Sequence, residues 1–358
     1  MLFNLTSYFC NRMQKKILIN NKTCNSQKME QFKEKRKIFY NKLHSLVQEA
    51  ETGNIYHDNA EIYACHPINE ISGLKDINKL WKSLRISFPD LERRDSIFVL
   101  GANFPDERSL VNIEGIELVA SMCHYQGTFE NDLFGIPASK KVVYLRSCEV
   151  HQFLNEKIIK SYIILDLLNL MKQVGLSPIS QSLGTDFFWP GPASADGVRI
   201  DDNENTQANN CFEVVMKMHK ALGEYDGKDI ESMKHSQYWS KNFIWYGPSG
   251  IGTSKGMNNF RNIHQIPFLR GFSDRKGASH YIRINDGNYV VTGGWPSVEA
   301  THGGEWLGIP ATNKKIKMRV MDFYRVEGNV IAENWVPIDI IHILYQMGFD
   351  VFARLKEM

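Results

Sequence analysis

The sequence predicts an α+β fold that occurs twice in one chain. Three observations lead there. The 358 residues suit two domains of about 150 each. Helical patterns come first in each half and long β-rich runs follow, unlike the βαβ alternation of a Rossmann sheet. The tetrapeptide Gly135-Ile136-Pro137-Ala138 also recurs as Gly308-Ile309-Pro310-Ala311, an offset of 173.

Without a gap, that offset also pairs Lys141 with Lys314, Arg146 with Arg319, Ile158 with Ile331, Asp166 with Asp339, Gln173 with Gln346 and Gly175 with Gly348. This makes 10 identities over the 41 positions from Gly135 to Gly175, where average composition gives only about 2 to 3. Glu149 matches Asp322, Tyr162 matches Trp335 and Met171 matches Leu344 as conservative pairs. A repeat of this length fixes the architecture.

The first copy is expected over 30–179 and the second over 207–358, with a linker over 180–206. Each opens with a helix, 30–52 and 207–223, followed by a second near 76–86 and 257–264. Strands are expected at 96–100, 118–125, 142–153 and 158–165, then at 280–284, 289–292, 316–326 and 330–336. Asp286-Gly287-Asn288 and Glu327-Gly328-Asn329 read as hairpin turns. Both copies close with a short apolar helix ended by Gly175 or Gly348. The linker is rich in Gly, Pro, Ser, Asp and Asn, with Trp189-Pro190-Gly191-Pro192 as a rigid piece.

Residues 1–29 hold five basic and no acidic residues. They read as a disordered leader, or as sequence upstream of a start at Met29, with a targeting segment as the alternative. The net charge is +2 for the whole chain and −3 without them, so nothing suggests a nucleic-acid or membrane surface. No apolar run approaches the length of a membrane span. The six cysteines form no C-x-x-C pair and read as free thiols of a reducing, cytoplasmic compartment.

Three features could carry chemistry. Trp335 and Asp339, like Tyr162 and Asp166, lie four residues apart and so share a strand face. On a concave face each carboxyl would sit among aromatic rings and trade protons near neutrality. As the residue before a helix, each Asp is equally suited to an N-cap. His302, in Thr301-His302-Gly303-Gly304, could share proton transfer or hold the sheet, and His124 is its nearest counterpart. Arg146 and Arg319 could orient a carboxylate or ketone substrate or pair with Glu149 and Asp322. Trp239, Trp245, Tyr246 and Trp295 build either a core or a flat-ligand pocket, and His280 and His66 are further binding candidates. Gly250-Ile251-Gly252 lacks the spacing of a phosphate loop, and the absence of H-E-x-x-H or a compact His/Cys cluster gives a metal no support.

The run Gly308-Ile309-Pro310-Ala311-Thr312, Arg319, Asp322 to Val326, Glu333 to Asp339 and Gln346 to Gly348 resembles the SnoaL-like polyketide or ester cyclase pattern of the NTF2-like superfamily. The resemblance is specific over the carboxyl half of each copy and stronger in the second. It implies two tandem cone-shaped α+β barrels, each a curved antiparallel sheet wrapped around helices with one apolar cavity. It also implies cofactor-independent cyclase or isomerase chemistry on a small carbonyl or ester compound. By the motif the general acid/base is Asp339, and by the repeat Asp166, with His302 and Arg319 as helpers. A non-catalytic small-molecule binder or assembly module is the alternative. The copies would form an internal pseudo-dimer, with further self-association left open. Ser139 and Tyr162 stand where the second copy has Thr312 and Trp335, so the second copy is the better bet for activity.

Overall fold

The computed structural model describes residues 32–48, 52–107, 109, 111–186, 188–201 and 208–358, so the leader lies outside the described residues. Copy 1 starts with helix α1 (32–45), whose Phe39 and Leu43 sit on one helical face and are buried, as is Leu46 in the turn that follows. Strands β1 (Tyr56–Ala64) and β2 (Glu70–Ser72) precede helix α2 (Leu74–Ser87). Then come β3 (Glu92–Ala102), β4 (Glu117–Thr128), β5 (Val142–Leu154), β6 (Lys157–Leu165) and helix α3 (Leu167–Gln173).

Copy 2 repeats this plan. Helix α4 (Ala208–Leu222) leads through two 3₁₀ turns, Ile230–Met233 and His235–Tyr238, to β7 (Trp239–Tyr246) and β8 (Ser254–Lys255). The second helix is broken: α5 (Gly256–Phe260), a π-helical turn (Arg261–Gln265), then α6 (Ile266–Gly271). Strands β9 (Lys276–Gly277), β10 (Ile282–Asp286), β11 (Tyr289–Thr301), β12 (Lys315–Glu327) and β13 (Val330–Trp335) follow, then helices α7 (Ile340–Met347) and α8 (Val351–Leu355).

The sheet orders are β2-β1-β6-β5-β4-β3 and β10-β11-β12-β13-β7-β8, with β9 beside β11. Pairing is antiparallel except β1 with β6 and β7 with β13, which are parallel. These are two NTF2-like α+β units. Both expected copy 2 hairpins form, and Gly287 and Gly328 take the positive φ that their turns need. Strands β1 and β7 escape the sequence reading, because turns and polar residues interrupt their alternation. Among the described residues no helix is long and apolar enough to cross a membrane. Cys65, Cys123, Cys148 and Cys211 are free and buried.

The repeated residues hold backbone. Phe134, Gly135, Lys140 and Gly175 have φ of 52°, 84°, 58° and 87°; Leu307, Gly308, Asn313 and Gly348 have 51°, 80°, 55° and 92°. The Gln173 amide bonds the N–H and C=O of Tyr144, and the Gln346 amide bonds those of Lys317, again 173 residues on.

The linker is a packed element. Trp189 is buried under the Arg146 guanidinium, 4.7 Å from its ring centroid, and the Trp335 indole N–H donates to Pro190 O at 3.1 Å. Edge strands β3 and β10 meet closely enough that a Cβ on Gly101 would stand 2.9 Å from Asn285 O. There Asp286 accepts from Leu100 N–H and pairs with Arg36 and Arg199.

Candidate functional site

Strand alternation divides the side chains of β12 between two worlds. Met318, Val320, Asp322 and Tyr324 point to the hollow of copy 2; Arg319, Met321 and Phe323 point away from it. The hollow is a cavity of about 590 Å³. Trp239, Trp245, Phe260, Phe268 and Trp306 give it aromatic walls.

Four polar side chains meet on this wall. His219 Nε2, from α4, lies 2.9 Å from the Tyr324 hydroxyl, and its ring is 5.3 Å from that of His280. His280 Nε2 stands 3.7 Å from Asp322 Oδ2. Burial, and then the neighbouring Asp322 charge, raises the Tyr324 phenol well above its ordinary range, so it stays protonated. Among the described residues no cluster of three His, Cys, Asp or Glu side chains could hold a metal ion.

Copy 1 helps to build this wall. Asp106, in the loop after β3, also lines the cavity. Its carboxylate accepts from His280 N–H at 3.3 Å and pairs with Arg283 at 2.8 Å. Beside it the Ser109 and Ser279 hydroxyls are 2.6 Å apart. The turn that carries His280 is therefore pinned by the other copy.

The same positions in copy 1 are packed solid. The offset turns Asp322 into Glu149 and Tyr324 into His151, both fully buried. Glu149 accepts from Arg93 at 2.8 Å, Tyr125 at 2.6 Å and Ser147 at 2.7 Å, and lies 3.0 Å from His151 Nε2. Burial alone would raise this carboxyl. Arg93, helped by His151 and Tyr125, overcomes that and holds it well below the usual range. Arg93 also binds Asp95 and Ser121. Register shows what copy 2 has instead. The ladder Arg93–Tyr125–Leu145 of copy 1 becomes Gly277–Val298–Met318. Two large side chains are replaced by none and a small one, and the space is the cavity.

Asp166 and Asp339 do not enter that space, which corrects the expectation of one catalytic carboxyl per pocket. Trp335 and Asp339 do share a side, but it is the outer one, while Asn334, Val336 and Ile338 line the cavity. Asp339 caps α7 by accepting from His342 N–H at 3.1 Å, and its other oxygen accepts from His66 N–H of copy 1 at 2.9 Å. Asp166 does the same, capping α3 through Asn169 N–H at 3.0 Å and accepting from Ser249 N–H of copy 2 at 2.9 Å. Each has an arginine 3.2 Å away, Arg319 or Arg146. These arginines cannot pair with Asp322 or Glu149, which lie on the opposite strand face. Burial pushes the Asp339 carboxyl up to about 6, against the opposing pull of Arg319 and the two N–H donors.

Of the other expected site residues, His280, Trp239 and Trp245 line the cavity. Tyr162 packs on Tyr281 and Trp295 between the copies, and Arg319 covers the Trp295 ring at 5.3 Å. Tyr246 stacks on Trp335, 5.0 Å between centroids. His66 stacks on Tyr345 of copy 2, and His124 lies under Phe188 of the linker. His302 is buried beside Thr312, 3.0 Å from its hydroxyl, and closes the loop before β12. These eight side chains, like Arg146, pack or dock there. Asp322, Tyr324 and His219 were overlooked as a site. The available signal was the two-residue spacing of Asp322 and Tyr324, which puts an acid and a phenol on one strand face.

The model of the SnoaL-like polyketide cyclase family matches the chain twice, over residues 36–174 and 218–347. This chain belongs to that family. Membership supports a cyclase- or isomerase-type enzyme. No curated protein matches it. Similar solved structures include a SnoaL-like polyketide cyclase from Agrobacterium tumefaciens, 21% identical, covering 38% of this chain and 95% of its own at a TM-score of 0.30. An NTF2-like protein from Burkholderia xenovorans is 13% identical over 40% of this chain and 99% of its own, with a TM-score of 0.32. Another NTF2-like protein, from Burkholderia thailandensis, is 14% identical over 38% and 96%, also at 0.32. The SnoaL-like chain described here carries two such units, whose interiors have parted company.

Proposed function

We propose that copy 2 is a cofactor-independent acid/base catalyst for a small, flat carbonyl compound, and that copy 1 is its structural partner. The observation that carries this reading is the His219–Tyr324–Asp322–His280 group on the wall of an aromatic cavity of about 590 Å³. In this reading Asp322 takes a proton from the carbon next to a ligand carbonyl. Tyr324, kept protonated, donates to the enolate oxygen that forms. In the ligand-free protein the phenol donates to Asp322; in this reading the ligand oxygen takes over that proton, while His219 Nε2–H supports the phenol oxygen. His280 orients the carboxylate. The enolate carbon then attacks a second carbonyl of the same molecule, one C–C bond forms, and the proton returns to the new alkoxide. That is the aldol closure which the family resemblance implies.

The test needs no natural substrate. The full chain is incubated with 1-tetralone in D2O, and α-proton exchange is followed by NMR. Wild type is expected to exceed buffer, and Asp322→Asn to lose at least about 100-fold of the enhancement. Binding without exchange, or full exchange by Asp322→Asn, would make the cavity a binding site only and sink the reading.

A further inference from the structure

The proposed chemistry leaves a second polar group in the same cavity unused. His235, from the 3₁₀ turn His235–Tyr238, and Gln265, from the π-helical turn, both line the cavity and are only 1% and 6% exposed. Gln265 Nε2 lies 3.2 Å from His235 Nε2. With the amide donating, the imidazole carries its proton on Nδ1. That Nδ1, Gln265 Oε1 and the Trp239 indole N–H are buried without a partner. Leaving such groups unpaired costs about 1–3 kcal/mol each, so three together on one wall need a reason. The backbone points the same way. A π-helical turn interrupts an otherwise regular helix at the residues that supply His264 and Gln265, and such turns are frequent at functional sites. His264 stacks on Trp245 at 4.3 Å, which completes an aromatic slot.

The charge of this corner is settled by burial. It lowers His235 to about 4, helped by Arg261, and His264 to about 3, so both are neutral at physiological pH. Arg261 itself is engaged by Glu231. Two donors and one acceptor do match a hydroxyl, which accepts and donates, better than a ketone, which only accepts.

We propose that His235, Gln265 and Trp239 form a second, neutral subsite that binds a hydroxyl group on a flat aromatic ligand. It rests on reading the cavity as a ligand site, but not on any reaction there. The ligand class is a hydroxylated aryl compound whose apolar body lies among the cavity's rings and whose other functional end faces Asp322.

The affinities of the full chain for 2-naphthol and naphthalene, measured by equilibrium dialysis, test this. Wild type is expected to hold 2-naphthol about tenfold more tightly, the worth of one good hydrogen bond. Gln265→Met and, separately, His235→Phe should bring the ratio near one while naphthalene binding stays. Tyr324→Phe should leave the ratio at tenfold. Ligand-free Gln265→Met removes an unpaired amide oxygen but also the bond to His235 Nε2, so its melting midpoint is read only to confirm that the variant is folded. A ratio of one in wild type, a ratio that survives in both variants, or one lost only in Tyr324→Phe would overturn the subsite. Loss of tetralone exchange with the naphthol ratio intact would strike only at the proposed reaction.

Discussion

The interiors of the two copies solve one problem in opposite ways. In copy 1 a guanidinium and a carboxylate meet at the position where copy 2 has open space. The buried Arg93–Glu149 pair is satisfied on every side, which is the condition under which buried charges are tolerated. Asp322 has no such cage: it meets the Tyr324 hydroxyl and a histidine ring nitrogen 3.7 Å away. A carboxylate held by Arg93, Tyr125, Ser147 and His151 is a structural element, whereas Asp322 faces a cavity. The difference lies less in the carboxylates themselves than in what stands opposite, Arg93 or Gly277.

The comparison can be broken from both sides. The largest effect is expected from Asp322→Asn, with at least a 100-fold loss of exchange but a melting midpoint within a few degrees of wild type. Its mirror, Glu149→Gln, should leave Arg93 buried beside a neutral amide and cost about 3–5 kcal/mol in denaturant unfolding. Equal stability losses in the two variants would erase the distinction between the copies. Next comes Gly277→Leu. A Cβ there meets nothing within 4 Å and no positive φ is required, so stability should hold within about 0.5 kcal/mol. The side chain would fill the cavity, and binding of 2-naphthol should fall at least tenfold.

A smaller effect concerns the junction. The Asp339 carboxyl is raised to about 6 from an ordinary 3.8. The folded state therefore holds this proton more tightly than the unfolded chain. Its contribution is fully present below pH 3.8 and is lost as pH rises through 6, by up to about 3 kcal/mol. The stability difference between wild type and Asp339→Asn should fall across that window. A difference that rises with pH would show that Arg319 dominates. Smallest is Asp106→Asn, which removes the pairing with Arg283 and loosens the turn bearing His280. Exchange should drop only a few-fold, with copy 1 acting on copy 2 through position alone.

The fold was legible in the sequence because its marks are local. Positive-φ glycines, the Gln173 and Gln346 amides and the capping aspartates each stabilise nearby backbone, and the repeat exposes them all. The same logic misled the reading of the site. Residues shared by both copies are those that both folds need, so Asp166 and Asp339 stood out and proved to be caps and docking groups. Alternation correctly put Trp335 and Asp339 on one side but is blind to which side is concave. That depends on sheet curvature and on β9, whose partner on β11 lies about twenty residues further along the chain. Chemistry shows where the copies differ, at Asp322, Tyr324, Gly277 and His280, and a search for identity passes over difference.

The reciprocal bonds from Asp166 to Ser249 N–H and from Asp339 to His66 N–H have one more consequence. Each acceptor recognises main chain, and every amino acid except proline supplies the same donor. These two bonds are therefore independent of the side chains at positions 66 and 249, where His66 adds a stack on Tyr345 and Ser249 is fully buried. A carboxylate that grips an anonymous amide works as a universal fastener. It lets one half give up its hollow while the other keeps its own, with no renegotiation of how they are joined.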